Sequence, residues 1–147
     1  MSASVLYMSM SLDGYIAGPN DEPGNPGGDG FMRLHDWFVT PDGEFIRPPG
    51  PSVANYPLVT YVTDGIASAM AQAKAAAGDR DVLVHGGYTA QRALEAGVLD
   101  ELQVHQIPVL FGGGRRLFEV LPSRVELEIV RVIDTPQATH IRYRVRR

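Results

Sequence analysis

The sequence contains no cysteine. That removes disulfides, thiolate nucleophiles and cysteine-ligated metals in one step, and it fits a reducing compartment. Basic charge is also scarce. Thirteen Lys and Arg stand against seventeen Asp and Glu, giving a net charge of −4, whereas a nucleic-acid binder carries a basic surplus or stripe. No apolar run approaches the roughly 18 residues of a membrane span. The first fourteen residues, Met1 to Gly14, have no basic region before their apolar stretch and reach Asp13 early, so they read as a strand and not a signal peptide. The four histidines, at 35, 85, 105 and 140, have no metal-ligand spacing. Hydrolase elbow, P-loop and zinc motifs are missing as well. The expectation is a cytoplasmic protein with a small-molecule substrate, no metal, no nucleic acid and no membrane.

What is present suits one globular domain. The chain has 147 residues, 44% hydrophobic and 20% charged, enough to bury a core without a staple. Ser4 to Met10 is compact and apolar, a buried strand. Gly18 to Gly30 holds five glycines and three prolines, a loop. Phe31, Leu34 and Phe38 space a short amphipathic helix to Val39, with Asp29 as its N-cap. Five prolines between 41 and 57 exclude a helix or central strand there. The β-branched and aromatic run Leu58 to Val62 predicts a strand, and Asp64 a cap for a helix to Ala77. Asp81 to His85 is a second buried strand, followed after Gly86-Gly87 by a helix from about Thr89 to Ala96. Leu102 to Leu110 is a third strand, and Arg115 to Val120 a short helical turn. Glu126–Ile133 and Thr139–Val145 alternate as an antiparallel hairpin. Strand–helix alternation followed by a hairpin predicts an α/β fold of three layers, αβα, with a mostly parallel central sheet and an antiparallel C-terminal edge.

The most informative unit is Val82-Leu83-Val84-His85-Gly86-Gly87. A buried strand ends in two glycines at the start of a helix. Glycine allows close backbone approach, and the helix start offers unpaired N–H groups to a phosphate. The same pair serves a plain tight turn equally well, because the full dinucleotide fingerprint is absent. Asp13 before Gly14 suits an Asx-turn better than catalysis. Gly112-Gly113-Gly114-Arg115-Arg116 is an anion site or a solvated turn. His85 either lines a pocket or is a hydrogen-bonded structural histidine.

Taken in order, these units resemble the dihydrofolate-reductase-like family. The nearest likeness is to the reductase, C-terminal domain of the bifunctional riboflavin-biosynthesis deaminase-reductase. The resemblance rests on Met8–Gly18, Val84–Gly87, Gly97–Leu102, Pro108–Gly114 and Leu117-Phe118. It implies an oxidoreductase that uses NADPH on a small heterocycle, a pteridine or a riboflavin-pathway pyrimidine, and it implies a homodimer. By resemblance Ile16, Ala17 and Gly18 lie near the nicotinamide, while Gly86, Gly87, Tyr88 and Thr89 hold the pyrophosphate. The corresponding glycine pair of the family is often joined in cis, and that is carried over to Gly86-Gly87. The catalytic residue stays unassigned: Asp36 qualifies by neighbourhood only, and an exposed helix carboxylate describes it better. One departure stands out. The family places a strand–helix–strand segment where this chain has only the proline-rich stretch around 48–57. Either the chain dispenses with half of the nucleotide site, or the natural protein carries more residues there. In the first case the competing expectation is a non-catalytic member that binds a nucleotide-like ligand or a protein partner.

Overall fold

The computed structural model describes residues 2–38 and 59–147. The missing strand–helix–strand near 48–57 therefore lies outside the described residues.

Three neighbouring strands run parallel: β1 (Ser4–Ser11), β3 (Val82–Val84) and β4 (Glu101–Ile107). β6 (Leu127–Asp134) and β7 (Thr139–Val145) complete a five-stranded sheet in the order β3-β1-β4-β7-β6. β7 pairs antiparallel with β4, setting Val104 opposite Ile141 and His105 opposite His140. A small second sheet joins β2 (Tyr15–Ala17) to β5 (Arg115–Arg116), antiparallel. The expected αβα, dihydrofolate-reductase-like fold with a parallel centre and a hairpin edge is what forms.

One sheet face carries the main core. Alternation on β1 sends Leu6 and Met8 towards Leu102 and Val104 of β4, where Met70 of α1 (Ile66–Ala77) and Ala90 and Ala93 of α2 (Gly87–Glu95) close over them. Leu6 and Leu102 are almost fully buried, and each such side chain contributes about 1.5–3 kcal/mol. The other face holds a smaller cluster of Leu34, Ile107 and Ala138, with Trp37 against it. Its cover is a 3-10 helix, Phe31–Phe38, packed on β1 and β2. The reason is in the spacing: Phe31, Leu34 and Trp37 are three apart, and a 3-10 turn eclipses i and i+3 on one side.

Several boundaries differ from expectation. Val59–Val62 lies in no strand, and Tyr61 is largely exposed. β-branched residues extend only where a ladder exists, and among the described residues β3 is the sheet's outer strand, paired with β1 alone. Gly65, not Asp64, precedes α1, and no side chain caps it. Asp29 caps nothing; its carboxylate accepts the amides of Asn20 and Asn25 instead. β4 stops at Ile107, before Pro108, which cannot donate to a ladder. Arg115–Arg116 is strand, held by β2, and not helix.

Candidate functional site

Ligands of open α/β sheets gather beyond the carboxyl ends of the parallel strands. Here β1 leads into β2, and β3 into α2, at that end. α2 begins two residues earlier than the expected Thr89, with Gly86 as its cap at φ 95. The Gly86–Gly87 bond is trans, and no cis peptide occurs among the described residues. The expected cis bond is thereby corrected: the reversal is absorbed at a torsion that glycine adopts without strain.

The two glycines have different tasks. At Gly87 a Cβ would come within 2.9 Å of Ile16 Cδ1 and 3.4 Å of the Leu117 carbonyl oxygen. Gly87 is therefore small so that β2 can pack on the helix start, which brings Ile16 against the glycine turn. At Gly86 a Cβ would meet only the Thr89 hydroxyl, at 3.9 Å. Its N–H donates to the Met8 sulfur at 3.4 Å. The N–H groups of Gly87, Tyr88 and Thr89 have no partner among the described residues, as expected for the first turn of a helix. Beside them a cleft of about 370 Å³ runs between the starts of α1 and α2, lined by Thr63, Gly65, Ile66, Tyr88, Thr89 and Arg92. The Arg92 guanidinium lies 5.5 Å from the centre of the Tyr88 ring and pairs with Glu95 at 3.2 Å.

Gly18 is less open than the sequence suggests. Its N–H donates to the Gly27 carbonyl, and a Cβ there would press on the Asp29 backbone. Ala17 is buried. The Gly112–Arg116 segment, expected as an anion site or a solvated turn, is a clasp for this loop. Arg115 pairs with Asp21, whose other oxygen accepts the Gly27 N–H. Arg116 donates to the Tyr15 hydroxyl and covers its ring at 4.8 Å. Each guanidinium thus has a partner within the loop.

Asp13 anchors the clasp from the other side. It accepts the Ser11 hydroxyl at 2.6 Å and the N–H groups of Phe111 and Gly112 at 3.0 and 2.8 Å. The Ser11 hydrogen bond leads, with Phe111 and Gly112, in lowering its pKa to about 2 against the opposing effect of desolvation. A lowered carboxylate pKa stabilises the fold above the usual value and loses that contribution as pH falls towards about 2. Asp13→Asn should therefore loosen the 110–116 turn at neutral pH and behave like the parent below pH 2. Hydrogen exchange of the Phe111 and Gly112 amides checks this, and unchanged protection at pH 7 would refute it.

Asp36 is exposed and faces Arg33 at 3.9 Å, the exposed carboxylate that its position suggested. The residue that sequence reasoning passed over is its neighbour His35. Half-buried on the 3-10 helix, it lies within electrostatic reach of His85; only its i+4 spacing from Phe31 and place in an amphipathic turn hinted at a fixed ring.

A parallel-centred sheet with a glycine-capped helix start at its carboxyl edge defines a dihydrofolate-reductase-like domain. The family model described as the RibD C-terminal domain matches residues 52–141, and the chain belongs to that family. The fold agrees. A putative riboflavin biosynthesis protein from a Shewanella species is 21% identical, with TM-score 0.66 over 99% of both chains. The Saccharomyces cerevisiae riboflavin biosynthesis reductase is 14% identical, TM-score 0.58, over 99% of this chain and 89% of that one. The Thermotoga maritima diaminohydroxyphosphoribosylaminopyrimidine deaminase/5-amino-6-(5-phosphoribosylamino)uracil reductase is 12% identical, TM-score 0.60, and 56% of it is covered by 98% of this chain. None of the curated protein sequences matches. No described helix is long and apolar enough to cross a membrane.

Proposed function

We propose that this chain is a cytoplasmic NADPH-dependent reductase of a small heterocyclic substrate, of the riboflavin-pathway pyrimidine or pteridine type. The observation that carries the reading is the open first turn of α2, with three unpartnered N–H groups, set against Ile16 at the carboxyl edge of the sheet. The residues fit a dinucleotide. Gly86 leaves space where a side chain would stand, and the N–H groups of Gly87, Tyr88 and Thr89 present positive partial charge to a pyrophosphate. Ile16 and Ala17 form an apolar wall for a nicotinamide ring, and Gly18 ties that wall to the loop. NADPH supplies the hydride; the protein supplies position and field.

Titration with NADPH and NADH, followed by quenching of protein fluorescence, tests this. Saturable binding of NADPH at micromolar concentration is expected, and binding of neither nucleotide would overturn the reading. The second reading, a ligand-binding member without turnover, is favoured by Val59–Val62 standing outside any strand beside the cleft. It predicts nucleotide binding to a protein that oxidises no NADPH with any pyrimidine or pteridine offered.

We further propose a homodimer through β6. All eight residues of this outer strand are exposed, Ile129 to 61% and Val132 to 52%. An open apolar edge of this length is normally covered. Light scattering should give twice the 16.0 kDa chain mass, and Ile129→Lys should halve it. A monomer at micromolar concentration removes the dimer.

A further inference from the structure

Two imidazoles from different elements lie close to one another near the glycine turn. His85 is the last residue before the glycine turn, and its Nδ1 lies 3.0 Å from the Tyr7 carbonyl oxygen. His35 sits on the 3-10 helix between the rings of Phe31 and Phe38, at 4.3 and 5.3 Å, with its Nδ1 3.1 Å from the Phe31 carbonyl oxygen. A carbonyl only accepts, so Nδ1 carries the hydrogen in both rings, and each neutral ring presents a bare Nε2. Neither Nε2 has a protein partner among the described residues. His85 is near enough to disfavour a charge on His35. Ile16 lies over Gly87, two residues beyond His85, and the 3-10 helix packs on the strand that carries Ile16. Helix, strand end and apolar wall therefore meet in one place.

We propose that His35, with His85 beside it, delivers the proton of the reduction; this rests on the reductase reading above. Reduction of a C=N or C=O bond forms a C–H bond with the hydride of the reduced nicotinamide, which is oxidised to the pyridinium. The π pair moves to the heteroatom, which must be protonated. The Nε2–H bond of the His35 imidazolium breaks, the N–H or O–H bond of the product forms, and solvent recharges the neutral ring. Other groups nearby suit this poorly. Asp13 is held as a carboxylate by three donors, and Asp36 is exposed. Burial and His85 favour neutral His35, the Phe31 carbonyl and Asp36 oppose them, and the balance makes the imidazolium more acidic than usual. Proton delivery therefore weakens as pH rises through that lowered value.

The test reads the imidazoles directly. NADP+ and NADPH differ by a unit positive charge on the nicotinamide ring. A unit charge about 6 Å away moves a titration by about half a pH unit even at the dielectric of water. Histidine titrations followed by NMR should place His35 at least about half a pH unit lower with NADP+ than with NADPH, while His105 and His140 titrate alike in both. His35→Gln and His85→Gln assign the signals; if a variant does not fold, through-bond correlation from the backbone assigns them in the parent. Equal His35 values in the two saturated complexes overturn the proton assignment and leave the reductase reading standing. Failure of both nucleotides to bind overturns the reading and the assignment together.

Discussion

Replacing Gly114 with alanine should lower the unfolding free energy by about 3 kcal/mol or more and the melting temperature by about 10 °C. Gly114 has φ 125, where a side chain is strained in any surroundings. A Cβ there would stand 2.7 Å from the Gly18 carbonyl carbon and closer still to the Ala17 carbonyl oxygen. Both obstacles are backbone, so no rotamer change relieves them. Gly18→Ala meets the same difficulty at Asp29, whose carbonyl carbon would lie at 2.8 Å. Gly97 supplies the control. Its φ is 70, yet nothing lies within 4 Å of its Cβ position, so Gly97→Ala carries only the left-handed strain of about 1–2 kcal/mol. Thermal melts of Gly114→Ala and Gly97→Ala that coincide would show that the 112–114 turn does not press on β2. The crossing also matters for function, because it fixes Ala17 and Gly18 relative to Ile16. Gly114→Ala should therefore weaken NADPH binding even at temperatures where the variant stays folded.

That crossing shows where the sequence is legible and where it is not. β1 is readable because a compact apolar run of strand length is buried along most of its length. The hairpin β6–β7 is readable from its alternating residues on either side of the Thr135-Pro136 turn, and the positive φ at Gly86 because its cause is local. The three consecutive glycines at 112–114 look alike in the chain, but only the third meets the backbone of Ala17, almost a hundred residues away. Val59–Val62 fails in the opposite sense: its composition suits a strand, and among the described residues no strand pairs with it. Gly87 was legible as special, though its reason is Ile16 and not a ligand alone. His35 gave almost no signal, since its meaning comes from a strand end fifty residues later. The arginines at 115 and 116 suggested a phosphate because their partners Asp21 and Tyr15 are distant in sequence.

Trp37, the only tryptophan, should report a proton-sensitive contact as pH falls below neutral. Its indole N–H donates to the Ser9 hydroxyl at 3.0 Å, and its ring lies 4.4 Å from His105 and 4.8 Å from His140. The Nδ1 atoms of the two histidines are 2.6 Å apart, which leaves room for one proton between them. Whichever ring donates, charging both imidazoles sets N–H against N–H. His105 is 3% exposed, and its Nε2 has no partner. Burial, and then the charge of His140, lowers its pKa to about 4, and burial also lowers that of His140. Among the described residues, the other groups around the pair are Tyr7 of β1, whose ring meets His105 at 4.3 Å, and Trp37, which does not titrate. The sign follows from proton counting. Below about 6.5 the unfolded chain protonates His105 while the folded chain refuses until about 4, so stability declines as pH falls through that window. The full difference is about 3 kcal/mol. Carboxylates held at low pKa, such as Asp13, add little above pH 4.5 because they stay ionised in the folded chain and largely ionised in the unfolded one. Urea melts at pH 7 and pH 4.5 should show the parent losing about 2 kcal/mol over this interval and His105→Phe losing much less. Trp37 emission should hold steady to about pH 5 and then change before far-ultraviolet circular dichroism reports loss of secondary structure. Parent and His105→Phe with the same slope between the two pH values would mean that the imidazole pair does not govern how the 3-10 helix sits on the sheet.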